Sequence, residues 1–393
     1  MKAQEIFEKH LAPTSPSPMG LQIIYAKGVY LYDANDKKYI DFIAGIGVSS
    51  VGHQHPKVVA SIKEQLGKHA HIMVYGEYLQ NVVLALAKKL ASLLPESLSA
   101  SYFVNSGTEA NEAAIKLAKR ATGRHKIITF YKSYHGNTQG SMSVSDNETK
   151  KQNFRPLIPG IEKMKLNSIE GLEAITEQTA AVIIEPIQGD AGVRIPSQAF
   201  MAALRNKCSE TGTLLIFDEV QTGIGRTGKL FAFEHYSIIP DILTLAKGLG
   251  GGMPIGAFIA SYDLMQLLSH NPMLGHITTF GGNPVCCASA LATLEIISEP
   301  AFLTAIEPKG QLIAQELNHP KIKAIRRKGL MLAVELNNEE QVNKLITYCV
   351  AHGVIIYWFL STRNSFRISP PLTISEAEIR EACEVINRGL DNI

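Results

Sequence analysis

The chain has 393 residues, 46% of them hydrophobic, and a formal net charge of +2 at pH 7. This length predicts about two domains with a large core, and the balanced charge, with no long run of one sign, argues against a nucleic-acid partner. The first ten residues lack the apolar centre of a signal peptide, and no apolar run approaches the ~20 residues of a membrane span, so we expect a cytoplasmic protein with no membrane partner.

The N-terminal region predicts an extended loop, a hairpin and a helix. Residues 11–20 contain three prolines and no periodicity, which indicates an extended loop that can lie over the mouth of a site. Residues 28–33 and 38–42 alternate on either side of a polar turn, as in a small antiparallel hairpin. Apolar residues then recur at helical spacing through residues 56–69.

The histidine pairs in this region do not form a good metal motif. His53 and His55, and likewise His69 and His71, are two residues apart, whereas paired zinc ligands on one helix face are four apart. The five cysteines are scattered, and none belongs to a C-x-x-C pair. We therefore predict no metal site and no disulfide framework.

A helix start suited to phosphate is predicted at residues 105–109. Ser106 and Glu109 fit a capping box at the beginning of an alanine-rich helix, and this structural purpose is expected in any case. The free amides of such a helix start, beside Gly107 and Thr108, also form a ready site for an anion.

The middle of the chain alternates short apolar runs with helical stretches. This alternation predicts a mostly parallel sheet with helices on both faces, in which ligands collect at the carboxyl ends of the strands. The predicted strands are 102–104, 126–130, 181–184, 214–217, 242–246 and 257–260, and the helices between them include 109–120 and 197–210.

Two apolar runs in residues 214–256 each end in a charged residue. The first is closed by Asp218, and the second by Lys247, after which glycines follow through Gly252. A lysine at a strand end most often extends into solvent. Its pairing with an acid at another strand end fits pyridoxal phosphate chemistry instead, which needs a lysine amine and a carboxylate facing the ring nitrogen.

The same stretch contains a match to the dinucleotide-binding pattern G-x-G-x-x-G at Gly223, Gly225 and Gly228, and Asp241 follows the first glycine by 241 − 223 = 18 residues. The context does not fit, because the turn after the strand is not tight and no long amphipathic helix follows Gly228. We therefore set a nicotinamide site aside.

The character of the chain changes after residue 288. Helices are predicted at 288–297, 340–352 and 375–390, the last with a Ser375–Glu378 capping box, and strands at 330–336, 354–359 and 366–369. We expect three parts: residues 1–46 joining a small domain, a large domain over 47–287, and a C-terminal small domain over 288–393.

Several motifs in consistent order closely resemble class III (omega) pyridoxal-phosphate aminotransferases, and acetylornithine and ornithine aminotransferases most of all. They are D-E-V-Q-T-G at 218–223, G-R-T-G at 225–228, P-D at 240–241 and A-K-G at 246–248, with further matches at 105–109, 131–138, 185–190, 276–284 and 366–371. The resemblance extends from about Gly28 to Leu372. It implies the α/β pyridoxal-phosphate transferase fold type I, with a large domain built on a mostly parallel sheet and a smaller α+β domain.

The resemblance also implies roles for individual residues. Lys247 and Asp218 correspond to the catalytic pair, and Thr278 and Thr279 to residues that reach the cofactor of the neighbouring subunit, which implies a homodimer with shared active sites. The implied cofactor contacts are Ser106, Gly107, Thr108, Tyr134, Glu185, Asp218, Val220, Gln221, Lys247 and Thr279.

Four positions are implied to contact the substrate. Arg367 and Asp190 correspond to a gate in which the acid masks the arginine until 2-oxoglutarate binds, although the family often has glutamate at position 190. Asn137 stands where an arginine usually binds a substrate carboxylate. Ile46 matches acetylornithine and 4-aminobutyrate enzymes, whereas ornithine aminotransferases have tyrosine there.

The resemblance therefore implies an enzyme that moves the terminal amino group of acetylornithine or a similar N-acylornithine to 2-oxoglutarate by ping-pong kinetics. Ornithine, 4-aminobutyrate, lysine or another omega-amine is left open as the donor. A pyridoxal-phosphate mutase, racemase or decarboxylase on the same fold is also left open. A non-catalytic relative would be expected to have lost Lys247 or Asp218, and both are present.

Overall fold

The computed structural model of the chain describes residues 3–74 and 76–393. The strands are β1 Ile23–Lys27, β2 Tyr30–Asp33, β3 Lys38–Asp41, β4 Ala100–Val104, β5 Lys126–Phe130, β6 Ile161–Met164, β7 Thr179–Ile184, β8 Leu214–Asp218, β9 Ile242–Leu245, β10 Gly256–Ala260, β11 Ala324–Lys328, β12 Met331–Glu335, β13 Val354–Ile355, β14 Tyr357–Trp358 and β15 Ser365–Ile368.

Helices fill most of the chain between these strands, together with short 3₁₀ turns such as Lys247–Gly250. They are α1 Ala3–His10, α2 Ala44–Gly47, α3 Pro56–Leu66, α4 Asn81–Leu93, α5 Gly107–Thr122, α6 Gln139–Val144, α7 Glu148–Lys151, α8 Gln198–Thr211, α9 Tyr262–Gln266, α10 Pro284–Ile297, α11 Pro300–Thr304, α12 Ile306–Glu316, α13 Glu339–Ala351 and α14 Glu376–Asp391.

The central sheet has seven strands in the order β4-β10-β9-β8-β7-β5-β6. Every pair from β9 to β6 is parallel, whereas β10 runs antiparallel to both β9 and β4. Because β4 is thus parallel to β9, the carboxyl ends of β4, β5, β7, β8 and β9 lie along one edge. This confirms the predicted α/β class with a mostly parallel sheet.

Burial explains why the central strands are almost continuously apolar. All residues of β7 and β9 are buried, and so are all those of β8 after Leu214, because helices cover both faces of the sheet. The helix α5 packs against β7, β9 and β10, and on the other side α10 packs against α3 and α4. The charged residues that end these strands are therefore delivered to a rim above a rigid core.

Two four-stranded sheets flank the central one, in the orders β1-β2-β3-β13 and β11-β12-β15-β14. The single strand predicted at 354–359 is wrong. Val354 and Ile355 pair with β3, Tyr357 and Trp358 pair with β15, and the fully buried Ile356 lies between them. The chain passes from one sheet to the other here, and periodicity alone does not show such a transfer.

The glycine-rich turn at 223–228 has a structural use. Gly225 and Gly228 have φ of 82° and 88°, and no α-helix begins between Gly228 and Tyr262. Between them, the fully buried Arg226 donates from Nη1 to the carbonyls of Leu330 (3.1 Å) and Pro370 (2.6 Å), and burial lowers the pKa of its guanidinium to about 9. The turn thus joins the central sheet to the C-terminal part of the chain.

The predicted division at residues 46/47 and 287/288 stays a prediction. The pairing of β13 with β3 does join the N-terminal and C-terminal parts of the chain in one sheet. Within residues 3–74 and 76–393, no single helix has the length and apolar character to cross a membrane; the pair α10 with Pro300–Glu316, bent by 69°, passes that test of length and composition together.

Candidate active site

A cavity of about 480 Å³ opens at the carboxyl edge of the central sheet. Its walls come from the ends of β4, β5, β7, β8 and β9, the edge at which ligands of such sheets bind. The lining residues are Val48, Asn105, Ser106, Gly107, Thr108, Asn111, Tyr134, His135, Gly136, Asn137, Glu185, Asp190, Asp218, Val220, Gln221, Thr222, Ala246, Lys247, Gly252, Met253, Pro254 and Ile255.

Lys247 lies two residues beyond β9 and lines this cavity. Its backbone has φ of 43°, in the left-handed region that costs a non-glycine residue of the order of 1 kcal/mol, and such strain is concentrated at functional sites. Burial lowers the pKa of its amine, and the guanidinium of Arg367 lowers it further. A larger share of the amine is therefore uncharged, and able to act as a nucleophile, than for a lysine in water.

Asp218 ends β8 and is held by three donors. Oδ2 lies 2.7 Å from His135 Nδ1 and accepts a bond from Asn111 Nδ2 at 2.8 Å, and Oδ1 accepts one from the Val220 amide at 3.0 Å. The side chain of Asp218 is 4% exposed. The carboxylate is thus fixed in position at the wall of the cavity.

Asn111 and Thr244, which the sequence analysis does not single out, complete this network. The Thr244 hydroxyl donates to Asn111 Oδ1 at 2.8 Å, and so fixes the amide that donates to Asp218. Both residues are buried. The signal that could have found Asn111 is its spacing of four from Gly107, which places a polar side chain on the same face of an alanine-rich helix as the predicted anion site.

The start of α5 forms one end of the cavity. Ser106 caps the helix by accepting from the Glu109 amide at 3.3 Å, as predicted, but Glu109 accepts from the Asn105 amide and not from Ser106. A Cβ on Gly107 would lie 2.6 Å from a methyl of Val220, so only glycine lets α5 approach this side chain. Ser106, Gly107 and Thr108 line the cavity, and the free amides of a helix start of this kind can bind an anion.

The Thr108 hydroxyl ties this helix start to the loop after β5. Its oxygen accepts from the amides of Asn137 and Thr138, both at 3.1 Å, and lies 2.8 Å from the Thr138 hydroxyl. The loop carries Tyr134 in the cavity wall, where burial raises the pKa of its phenol. Thr108 and Tyr134 thus occupy the cavity, as the resemblance implies.

Glu185 and Gln221 lie deeper in the same cavity. The carboxylate of Glu185 accepts from the amides of Tyr134 (3.0 Å) and Gly189 (2.8 Å), and burial raises its pKa to about 7. A Cβ on Gly189 would lie 1.7 Å from Gln221 Oε1, so Gly189 leaves the space that this amide occupies. These contacts show that Glu185 also supports the loop that carries Tyr134.

Asp190 and Arg367 form a buried ion pair beside the cavity. Arg367 Nη2 lies 3.2 Å from Asp190 Oδ1, and the two side chains are 8% and 6% exposed. The guanidinium carbon also lies 4.5 Å from the centre of the Phe359 ring. The shorter aspartate therefore reaches its arginine.

The remaining substrate positions differ in their placement. Asn137 lines the cavity at its exposed side, whereas Ile46 is not among the lining residues and packs against Tyr39, Ile43 and Ile355. Val48 lines the cavity in the same segment. No arginine is among the described residues that line the cavity; Arg155, in the segment after α7, pairs with Glu148 and is not one of them.

An apolar face lies beside the anion end of the cavity. Leu79 is 84% exposed and Phe280 58%, and the ring of Phe280 lies 5.0 Å from that of His71. Asn105 at the start of α5 donates to the hydroxyl of Thr278 at 3.1 Å, which places residues 278–281 next to the cavity. Thr279 is exposed on this face and is not among the residues that line the cavity.

Comparison with known protein families gives a match over nearly the whole chain, because residues 12–390 match the family described as aminotransferase class-III. Acetylornithine aminotransferase of Methanopyrus kandleri is 39% identical over 386 residues, which cover 97% of this chain and 97% of that protein. Acetylornithine aminotransferase of Bacillus subtilis is 40% identical over 377 residues, which cover 94% and 95%.

Solved structures show the same likeness. The ornithine aminotransferase of Toxoplasma gondii ME49 aligns with a TM-score of 0.91 at 30% identity, over 99% of this chain and 94% of that one. A transaminase from the marine bacterium Virgibacillus aligns with a TM-score of 0.92 at 27% identity, over 99% and 98%.

Proposed function

We propose, from the premise that this chain belongs to the class-III aminotransferases, that it transfers the terminal amino group of an N-acylated ornithine to 2-oxoglutarate. The family membership makes the chain a pyridoxal-phosphate-dependent transaminase. The donor and acceptor are the proposal. The observation that carries it is the Arg367–Asp190 pair beside Lys247, in a chain that is about 40% identical to the acetylornithine aminotransferases named above.

The residues that line the cavity fit pyridoxal phosphate. Its aldehyde needs an amine, its ring nitrogen a carboxylate and its phosphate a set of amide donors, and the cavity offers Lys247, Asp218 and the start of α5. The glycine at 107 lets the start of α5 lie directly against Val220, so that both form one wall of the cavity. When bound, the cofactor supplies an electron sink for the substrate carbon that carries the amine.

Lys247 acts twice in the proposed mechanism. Its lowered pKa favours an uncharged Nζ, which would hold the cofactor and, when free, would accept and return the proton of the substrate carbon. The strained backbone at φ 43° directs this side chain out of the β9 direction into the cavity. Among the described residues that line the cavity, Lys247 is the one lysine.

Asp218 is proposed to stabilise the positive charge of the protonated ring nitrogen of the cofactor. Its three donors leave it no freedom to turn away, so that its charge acts at a fixed position. Tyr134 and Val220 are proposed to cover the two faces of the ring and Gln221 to bind its hydroxyl, with Glu185 supporting the loop of Tyr134. The amides after Ser106, with Gly107 and Thr108, are proposed to bind the phosphate.

Arg367 is proposed to bind a carboxylate of 2-oxoglutarate. A guanidinium can bind a carboxylate through two parallel hydrogen bonds. When the donor occupies the site, Asp190 would neutralise the charge of Arg367 instead. The two substrates would then use one cavity in turn, which is the basis of ping-pong kinetics.

The donor is proposed from the relatives and from two positions of this chain. Ile46 agrees with an acylated donor rather than free ornithine, and the relatives act on acetylornithine by name. Asn137 offers an amide where an arginine would bind a donor carboxylate, so that 4-aminobutyrate, lysine or another omega-amine is the second candidate.

A homodimer with shared active sites is also proposed. Leu79 and Phe280 belong to the apolar face that reaches the start of α5, and exposed apolar faces of this kind mark interfaces. Thr278 and Thr279 on this face would then lie near the phosphate of the cofactor bound in the partner subunit.

The test is a panel of donors incubated with 2-oxoglutarate, in which formation of glutamate is measured. We expect acetylornithine to be the best donor and Lys247→Ala to abolish the reaction together with the visible absorbance of the bound cofactor. A better rate with 4-aminobutyrate or lysine would favour the second candidate. Turnover without any 2-oxoglutarate would instead indicate a mutase, racemase or decarboxylase.

A further inference from the structure

The carboxylate of Asp190 is held mainly by the loop of residues 359–364, which we name the clasp loop. Oδ1 accepts from the Leu360 amide at 2.8 Å, and Oδ2 accepts from the Ser361 hydroxyl at 2.7 Å. Both bonds are shorter than the 3.2 Å contact with Arg367. Asp190 therefore keeps one good donor on each oxygen even without its arginine.

The orientation of the Ser361 hydroxyl is itself defined. Asn147 Nδ2 lies 3.4 Å from Ser361 Oγ as a donor, so the serine accepts on one side and donates its hydrogen to Asp190 on the other. Ser361 is half-buried. A hydroxyl used in this way restrains the carboxylate more than a freely turning one.

Arg367 is held less firmly than its partner. Its guanidinium makes one hydrogen bond to Asp190, lies over the ring of Phe359, and has a buried Nε without a hydrogen-bond partner among the described residues. A cation over an aromatic face can slide at small cost in energy, because this attraction has little directional preference. The arginine is thus the more mobile member of the pair.

We propose that Ser361 is a positioning residue that fixes Asp190 through the clasp loop, so that Arg367 and not the acid moves when a dicarboxylate acceptor binds. The proposal rests on the proposed function, in which Arg367 binds the acceptor carboxylate. It differs from a gate in which the acid swings aside. The serine therefore acts on acceptor binding and leaves the donor half-reaction alone.

The consequence of removing the hydroxyl follows from carboxylate geometry. Without Ser361 Oγ, the Oδ2 of Asp190 is free to turn toward the guanidinium and form a second hydrogen bond with it. A pair joined by two parallel bonds is stronger than one joined by a single bond. Arg367 then becomes harder to release, and the acceptor must compete with a tighter partner.

The experiment measures the two half-reactions separately by cofactor absorbance in single turnovers. The enzyme loaded with pyridoxal phosphate is mixed with donor alone, and the enzyme loaded with pyridoxamine phosphate is mixed with 2-oxoglutarate alone. We expect Ser361→Ala to raise the concentration of 2-oxoglutarate needed for half the maximal rate by about threefold to tenfold, with the donor half-reaction unchanged. Ser361→Thr keeps a hydroxyl and should restore the wild-type value.

Thr362 provides the matched control, because its buried hydroxyl has no hydrogen-bond partner among the described residues. Thr362→Val should leave both half-reactions unchanged. In the Asp190→Asn background the Ser361→Ala change should lose its effect on the acceptor, because the charge that competes for Arg367 is gone. An unchanged or lower acceptor requirement in Ser361→Ala would overturn the proposal.

Arg367→Ala separates this proposal from the one on which it rests. If this variant keeps the acceptor half-reaction at normal 2-oxoglutarate concentrations, the assignment of Arg367 is wrong and the role of Ser361 fails with it. If the variant loses that half-reaction while Ser361→Ala behaves as wild type, the assignment of Arg367 stands and the role of Ser361 alone is wrong.

Discussion

Opposing charges surround the amine of Lys247. Burial and Arg367 lower its pKa, whereas Asp218, Glu185 and Asp190 raise it. The net result is a lowered pKa, which means that the amine becomes a nucleophile at a lower pH than a lysine in water. The neighbouring ion pair therefore sets the reactivity of the lysine as well as the binding of an acceptor.

This balance predicts the pH dependence of cofactor attachment. Arg367→Met removes a positive neighbour, so the ammonium form gains stability and the midpoint of the rate against pH should move upward. Asp190→Asn removes a negative neighbour and should move the midpoint downward. The measurement mixes apoenzyme with pyridoxal phosphate over a range of pH and follows the absorbance. One midpoint shared by both variants and the wild type would contradict this account.

At the scale of single elements, the start of α5 is closely packed. Gly107 stands where a Cβ would meet Val220 at 2.6 Å, and the same helix carries Asn111 to Asp218. A displaced helix start would therefore disturb both the anion site and the acid.

We predict that Gly107→Ala weakens cofactor binding by about tenfold or more while the protein still folds, because about 1.4 kcal/mol of lost contacts gives that factor. Titration of the apoenzyme with pyridoxal phosphate measures the affinity, and circular dichroism the fold. Gly67→Ala at the end of α3, where the nearest carbonyl is 3.3 Å from a Cβ, is the matched control and should bind normally. Equal affinities in the two variants would remove the proposed role of Gly107.

The sequence predicts most strands of the central sheet, because apolar runs such as 126–130 and 214–217 end at turn residues. It does not predict β6 or α4. The four residues of β6 include two charged ones, Glu162 and Lys163, and show no clear period, whereas α4 is largely apolar, with Leu86 and Leu90 buried one turn apart. Elements of this kind are defined by their neighbours in space.

The site shows the same division. Lys247 and Asp218 are predictable because a charged residue at the end of a buried strand is costly, and because the apolar run and the charge that closes it are adjacent in the sequence. The hydrogen bond from Ser361 to Asp190 joins residues 361 − 190 = 171 positions apart, and neither local pattern nor composition relates them. The resemblance to a family implies the arginine and the acid, but it does not show which of the two is fixed.

At the scale of the whole molecule, the apolar face that contains Leu79 and Phe280 predicts the assembly. Leu79→Asp places a charge in the proposed interface, where burial without a partner costs several kcal/mol. We expect this variant to sediment as a monomer, to bind pyridoxal phosphate weakly and to lose most of its activity.

Ile169→Asp is the control for the Leu79 variant. Ile169 is 52% exposed and follows β6, at the opposite end of the central sheet from β4. The Ile169→Asp variant should sediment and react as the wild type does. An active monomer of Leu79→Asp would show that one chain completes its own site, and a dimeric Leu79→Asp would show that the interface lies elsewhere.

The parallel pairing of β3 with β13 has a consequence for synthesis on the ribosome. Ile40 pairs with Val354, which is 354 − 40 = 314 residues later in the chain. While the chain is being translated, the hairpin of β2 and β3 has an open edge until β13 emerges, and open strand edges can pair with other chains. A strand made near the end of translation therefore covers the open edge of a hairpin made near its beginning. Nascent chains that stop before Val354 should need the protection of chaperones.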